Sequence, residues 1–204
     1  LSSNLLWRSA AVAVALCLGT VAAPLPSASQ VVPGTGSDPA RDTTVSGKPA
    51  LLLQARFSRG NVDRCFWDIP VNWDLSSAAG IALQWQCPDA SSVSQFNVYV
   101  RAQGVWHAAG LSSGRPGQWQ SSQVLKPQLA PEGTSKGWRR VDQIRLAAWR
   151  GGTKDTTLVL AGLTPLGPSV PAAILCGNST VPSAERGAAR RYARNMADAF
   201  ANYG

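Results

Sequence analysis

Acidic residues are scarce: 11 Asp and Glu stand against 19 Lys and Arg in 204 residues. Hydrolysis of a glycosidic bond takes two carboxylates flanking that bond, and no two acids here form a suggestive pair. Histidine is scarcer still. His107 is the only one, and following Trp106 in a strand-like segment it reads as a packed or surface side chain rather than a base. Gly-x-Ser-x-Gly, a phosphate loop, a dinucleotide fingerprint and a multi-histidine metal site are all missing. No catalytic site is therefore expected within these residues. A net charge of +8 fits nucleic acid, an anionic polysaccharide or a membrane surface. Zinc-finger spacing, a nucleic-acid motif and a Lys-rich tail are missing, so the charge is read as solvated Arg, with no nucleic-acid partner. Charged residues make up 15% and hydrophobic residues 45%, a composition that folds.

The N-terminal apolar run, 10–23, falls short of the roughly 20 residues of a membrane-spanning helix. Arg8 precedes it, and small residues and prolines follow in Pro24-Leu-Pro-Ser-Ala-Ser29. This is the pattern of a secretory signal peptide over 1–29, the alternative being an uncleaved anchor. Export to the cell surface, periplasm or medium is expected, with no stable membrane span after signal removal. The chain starts on Leu1, which leaves its true start open. Residues 30–47 are rich in Gly, Ser, Thr, Pro and Asp without periodicity and read as a flexible linker. Export leaves Cys65, Cys87 and Cys176 in an oxidising compartment. Cys65 and Cys87 are a candidate disulfide; the alternative is two small buried hydrophobes.

What is abundant is period two. Ile81, Leu83, Trp85 and Cys87 alternate with polar or small residues. So do Phe96, Val98 and Val100, and then Ile144, Leu146 and Ala148. Such spacing buries one face of a strand. Further strands are expected at 51–57, 66–73, 105–109, 118–125 and 156–163. Eight short strands without crossover helices predict a mainly β antiparallel sandwich of the jelly-roll type over 48–164. Its core would take Leu158 and Leu160 as well as the residues above. The opposite faces carry Gln84 and Gln86, then Asn97, Tyr99 and Arg101, then Arg145 and Trp149. Aromatic rings cover the apolar face of a pyranose, and amides and guanidiniums bond its hydroxyls. These seven residues are the candidate glycan site, on strands expected to be neighbours.

Several elements recur in a recognisable order. They are Phe66-Trp-Asp-Ile-Pro-Val-Asn72, Asp74-Leu-Ser76, Gly80-Ile-Ala-Leu83, Phe96-Asn-Val-Tyr99, Gly104-Val-Trp106 and Trp119. Gly137-Trp138, Asp142-Gln-Ile-Arg-Leu146, Ala148-Trp-Arg-Gly-Gly152 and Asp155-Thr-Thr157 follow. Over about 51–163 the set resembles the N-terminal galactose-binding-like, carbohydrate-module-type sandwich of large secreted bacterial family 10-like glycosyl hydrolases. The resemblance implies a module that binds polysaccharide or packs against a catalytic domain. Two readings follow: a non-catalytic carbohydrate-binding accessory module, or a structural, protein-contact sandwich that binds no sugar. In the Trp149–Thr157 segment, Gly151 and Gly152 are expected to take positive φ in a tight turn, with Asp155 and the threonines bonding turn amides. No cofactor is expected. A structural calcium ion is an open alternative, with Asp68, Asp74 or Asp155 as oxygen donors.

Residues 165–171 read as a Pro/Gly linker. Ala172–Cys176 reads as a buried strand, and Ser183 as the N-cap of an amphipathic helix ending at Gly204. One strand and one helix are the expected start of a truncated α/β domain over 172–204, whose missing remainder is the expected partner of the sandwich. The alternative places both elements on the sandwich. Asn178-Ser-Thr180 matches a glycosylation acceptor, a motif frequent by chance.

Overall fold

The computed structural model describes residues 25–112 and 115–168. The apolar run 10–23, Cys176, Asn178, the expected strand at 172–176 and the expected helix from Ser183 lie outside the described residues. Among the described residues no helix is long and apolar enough to cross a membrane.

Alternation decides the architecture. All eight expected strands form: β3 (Lys48–Ala55), β4 (Arg64–Trp73), β5 (Gly80–Gln86), β6 (Val93–Ala102), β7 (Val105–Leu111), β8 (Gln120–Leu125), β10 (Val141–Arg150) and β11 (Thr156–Pro165). Three short ones join them: β1 (Val32–Pro33), β2 (Arg41–Val45) and β9 (Ala130–Pro131). Sheet one runs β1-β4-β10-β6-β7-β9, and sheet two runs β2-β3-β11-β5-β8. Every pairing is antiparallel. The eight long strands follow the jelly-roll order: β3 and β11 lie side by side in one sheet, β4 and β10 in the other.

The core lies between the sheets. Ile81, Leu83, Trp85, Phe96, Val98, Val100, Ile144, Leu146, Leu158 and Leu160 are all buried, as their spacing predicts. Trp67 and Trp85 are the largest fully buried side chains. A buried indole N–H needs an acceptor: that of Trp67 donates to the Asp38 carbonyl at 3.0 Å, and that of Trp85 to Ser122 Oγ at 3.0 Å. The hairpins β2–β3 and β6–β7 turn through Ser46-Gly47 and Gln103-Gly104. All four residues have positive φ, the geometry that matches strand twist in a two-residue turn.

Residues 25–47 are built into this body, contrary to the expected signal end and linker. Ala28–Gln30 forms a short 3-10 turn. Ala28 is buried in the core and donates its amide to the Asp42 carboxylate at 3.0 Å. β1 and β2 extend one edge of each sheet. Asp38 then clamps two loops, because its carboxylate accepts from Arg56 Nε at 2.8 Å and from Arg59 at 2.9 Å. Arg56 also reaches Asp155 at 3.0 Å. The Arg56 hydrogen bond holds the Asp38 carboxyl below the usual range. The Ser58 amide, with Arg56 behind it, does the same for Asp155. Polar residues without periodicity thus form structure through side-chain-to-loop bonds that hydrophobic patterning does not reveal. At the other end, Leu166 donates to the Gly80 carbonyl and Ala79 to the Gly167 carbonyl. Residues 165–168 of the expected second linker therefore carry the pairing of β11 with β5 onward.

Cys65 and Cys87 are buried and unpaired among the described residues. Cys65 is on sheet one, while Cys87 follows β5 on sheet two, where they donate to the Gly36 and Asp89 carbonyls. Burial pushes both thiols up, which keeps them protonated and unreactive.

Gly151 and Gly152 do not have positive φ, and their role is proximity. Both amides donate to the Ser92 carbonyl, at 2.8 and 3.1 Å. A Cβ on Gly151 would lie 2.7 Å from the Ser94 backbone nitrogen. Since backbone, unlike a side-chain tip, has nowhere to go, Gly151→Ala is expected to cost about 1–3 kcal/mol in a urea titration. Gly110→Ala, whose Cβ meets nothing nearer than 3.6 Å, is expected to stay within about 0.5 kcal/mol. Equal costs would mean that the β10–β11 turn yields freely.

Candidate functional site on the outer face of sheet one

The strands that bury Ile144 and Val98 turn their alternate residues outward. On β10 these are Gln143, Arg145, Ala147 and Trp149; on β6, Asn97, Tyr99 and Arg101; on β4, Arg64, Phe66 and Asp68. Register sets Arg145 directly between Asp68 and Tyr99. Arg145 meets Asp68 with a two-pronged contact, Nε at 2.6 Å and Nη2 at 2.9 Å. Its guanidinium lies 4.1 Å from the Phe66 ring centre and 4.5 Å from that of Trp106. Arg101 is 5.5 Å from the same Trp106 ring and donates to Asp142 at 2.7 Å. Arg64 sits between Phe66, at 5.2 Å, and Trp149, at 5.0 Å. Rings and guanidiniums therefore alternate along the face in the order Trp149, Arg64, Phe66, Arg145, Trp106, Arg101.

Five of the seven expected site residues share this face, and two do not. Gln84 and Gln86 lie on β5 in sheet two, where Gln84 pairs with Ser121 and Gln86 with Val159. Alternation told which way these side chains point, but not which sheet holds the strand. β5 and β6 are consecutive in the chain and lie in different sheets, so the glutamines point away from the opposite side of the sandwich. Tyr99 is on the right face yet only 5% exposed. Trp106 meets it edge-on, with centroids 6.3 Å apart and planes at 88°. Tyr99 is a packed ring, not an open platform. Asn97 lies between Ala147 and Gly110 with a buried Oδ1 that has no partner among the described residues. Arg101 and Arg145 are bound to carboxylates, and Trp149 is half-buried.

Trp149 borders a groove of about 380 Å³, at the lower end of the volumes usual for ligand sites. Thr35, Asn61, Asp63, Arg64 and Phe66 line it with Trp149. None of these five was read from the sequence as a site residue. Arg64 and Phe66 do alternate with Cys65 and Trp67, so their outward direction was legible. The contribution of Thr35 was not, because it comes from the segment expected to be a linker. Gly34 packs against the Phe66 ring so closely that a Cβ there would lie 2.2 Å from it. A second groove, of about 370 Å³, opens between β7 and β8 and has Ser and Gln walls without an aromatic ring.

The other polar candidates are engaged within the fold. His107 is 1% exposed, with Nδ1 3.1 Å from the Val105 carbonyl, Nε2 3.0 Å from Ser135 Oγ and its ring 4.4 Å from Trp138. The three acids named for calcium each have protein donors: Asp68 has Arg145, Asp74 has the Ser76 amide, and Asp155 has Arg56 and the Ser58 amide rather than its own turn. Among the described residues no group of three or more His, Cys, Asp or Glu is gathered to hold a metal ion.

No protein-family model and no curated protein matches this chain. Solved structures do. The solution structure of CtCBM11, a carbohydrate-binding module, matches with a TM-score of 0.50 and 11% identity, over 69% of this chain and 88% of that one. A β-1,2-glucanase from Parabacteroides distasonis matches with a TM-score of 0.51 and 13% identity, over 70% and 23%. An agarase, AgWH50C, matches with a TM-score of 0.47 and 18% identity, over 70% and 23%. At these identities the likeness is one of fold. The chain spans 23% of the glucanase and of the agarase.

Proposed function

We propose that this chain carries a non-catalytic carbohydrate-binding module of a secreted bacterial glycoside hydrolase, and that polysaccharide lies in the groove beside Trp149. The observation that carries this reading is the groove itself. An indole and a phenyl ring stand in its wall beside an amide, a carboxylate, a hydroxyl and a guanidinium, the mixture that covers a sugar face and bonds its rim. The family 10-like assignment rests on the ordered motifs between Leu51 and Leu163, and a catalytic partner domain in the same polypeptide belongs to that assignment. The reading is one of binding: the groove wall holds one carboxylate, that of Asp63, where hydrolysis of a glycosidic bond takes two.

A second reading has its own support. Guanidiniums already stack on Phe66 and Trp106, and Tyr99 is buried. Such a face suits a sandwich that braces a neighbouring domain and takes no sugar.

Amide chemical-shift mapping separates the two. Soluble oligosaccharides of β-1,4-glucan, β-1,3-glucan, agarose and polygalacturonate would be titrated into the labelled protein. Binding predicts saturable shifts gathered at Thr35, Asn61–Phe66 and Trp149 with at least one of them. No saturable shift with any probe would leave the bracing reading. Shifts gathered on β7 and β8 would move the site to the other groove.

A further inference from the structure

We infer that the Trp149 groove takes an acidic glycan, with a carboxylate or sulfate group of the sugar chain bound by Arg64. The inference rests on the carbohydrate-binding reading and names its ligand class. Three arginines project from the face of sheet one. Arg145 is held by Asp68 and Arg101 by Asp142, whereas Arg64 makes no ion pair among the described residues. It is also the arginine that lines the groove. Phe66 and Trp149 flank its guanidinium at 5.2 and 5.0 Å, so two rings hold it without using its in-plane N–H donors. A guanidinium fork held in this way matches the two oxygens of a carboxylate or sulfate, and such charge-assisted pairs are about twice as strong as neutral ones. A basic chain of net charge +8 adds attraction for a polyanion.

Asp63 gives the inference a test of sign. Its carboxylate is at the exposed rim of the same groove and makes no ion pair with Arg64, the next residue in the chain. Toward an anionic ligand Asp63 is a like charge and repels. Toward a neutral sugar it is a hydroxyl acceptor and attracts. Asp63→Asn therefore strengthens binding of an acidic glycan and weakens binding of a neutral one.

The test is affinity electrophoresis of the full chain through gels holding polygalacturonate, dextran sulfate, or neutral β-glucan and agarose. The expected result is retention by polygalacturonate or dextran sulfate but not by the neutral polymers, and retention falls as salt rises. The polymer that retains the protein tells uronate from sulfate. Arg64→Gln should weaken it about tenfold or more, and Asp63→Asn should strengthen it. Arg139→Gln removes one exposed positive charge outside the groove, and it should change retention less than twofold. Equal losses for Arg64→Gln and Arg139→Gln would reduce the effect to net charge and overturn the inference. Retention by a neutral polymer alone would overturn it and leave the carbohydrate reading standing, while retention by none would remove both. If Arg64→Gln unfolds, the wild-type panel and the direction of the Asp63→Asn change decide.

Discussion

Trp67→Ala should remove about 3–5 kcal/mol of stability, a large part of the roughly 5–15 kcal/mol available to a domain. Trp67 is fully buried on the inner face of β4. Its loss opens a cavity between the sheets, and the lining loses its contacts on one side. It also strands the Asp38 carbonyl, which accepts the indole N–H at 3.0 Å. That bond joins the N-terminal segment to the core, so both should loosen together. Trp67→Phe keeps most of the ring and loses the bond, for an expected cost of about 1–3 kcal/mol. Urea unfolding of the three proteins measures this. A loss below about 1 kcal/mol for Trp67→Ala would show that the sandwich does not depend on this ring.

The strands and the core were legible because a period of two needs no knowledge of partners. Ile81, Leu83 and Trp85 declare an inner face wherever β5 sits. What alternation cannot say is which sheet receives the strand, and Gln84 and Gln86 were grouped with Tyr99 and Trp149 for want of that information. Exposure failed in a different way. Tyr99 points outward, yet Trp106 reaches across diagonally from β7 to cover it, an event set by the register of the two strands and not by spacing along either. The N-terminal segment was the largest misreading. Its Gly, Pro, Ser and Asp look like a linker, but Asp38, Asp42 and Gly34 act through a few long-range contacts. One consequence bears on function: Thr35, a wall of the groove, came from the segment set aside as unstructured. Arg64 was missed because its meaning depends on a carboxylate it does not meet, while Arg145 and Arg101 each meet one.

Trp149→Ala is the second large effect. The ring is half-buried at the edge of the groove, outside the hydrophobic core, and the Arg64 guanidinium lies 5.0 Å from its centre. Stacking of a sugar on an indole depends on the ring alone, so truncation should reduce glycan affinity at least tenfold, corresponding to about 1.4 kcal/mol or more. The fold should notice little, because the lost packing is on one exposed face. Gln84→Ala and Gln86→Ala, on the other side of the sandwich, should leave affinity unchanged.

The direct measurement is retention of wild type and Trp149→Ala in affinity gels of the polysaccharide that binds wild type, with thermal midpoints taken in parallel. The expected result is loss of retention in Trp149→Ala with the midpoint within a few degrees of wild type. Undiminished retention with the ring removed, in a variant equally stable, would contradict a glycan site at the Trp149 groove.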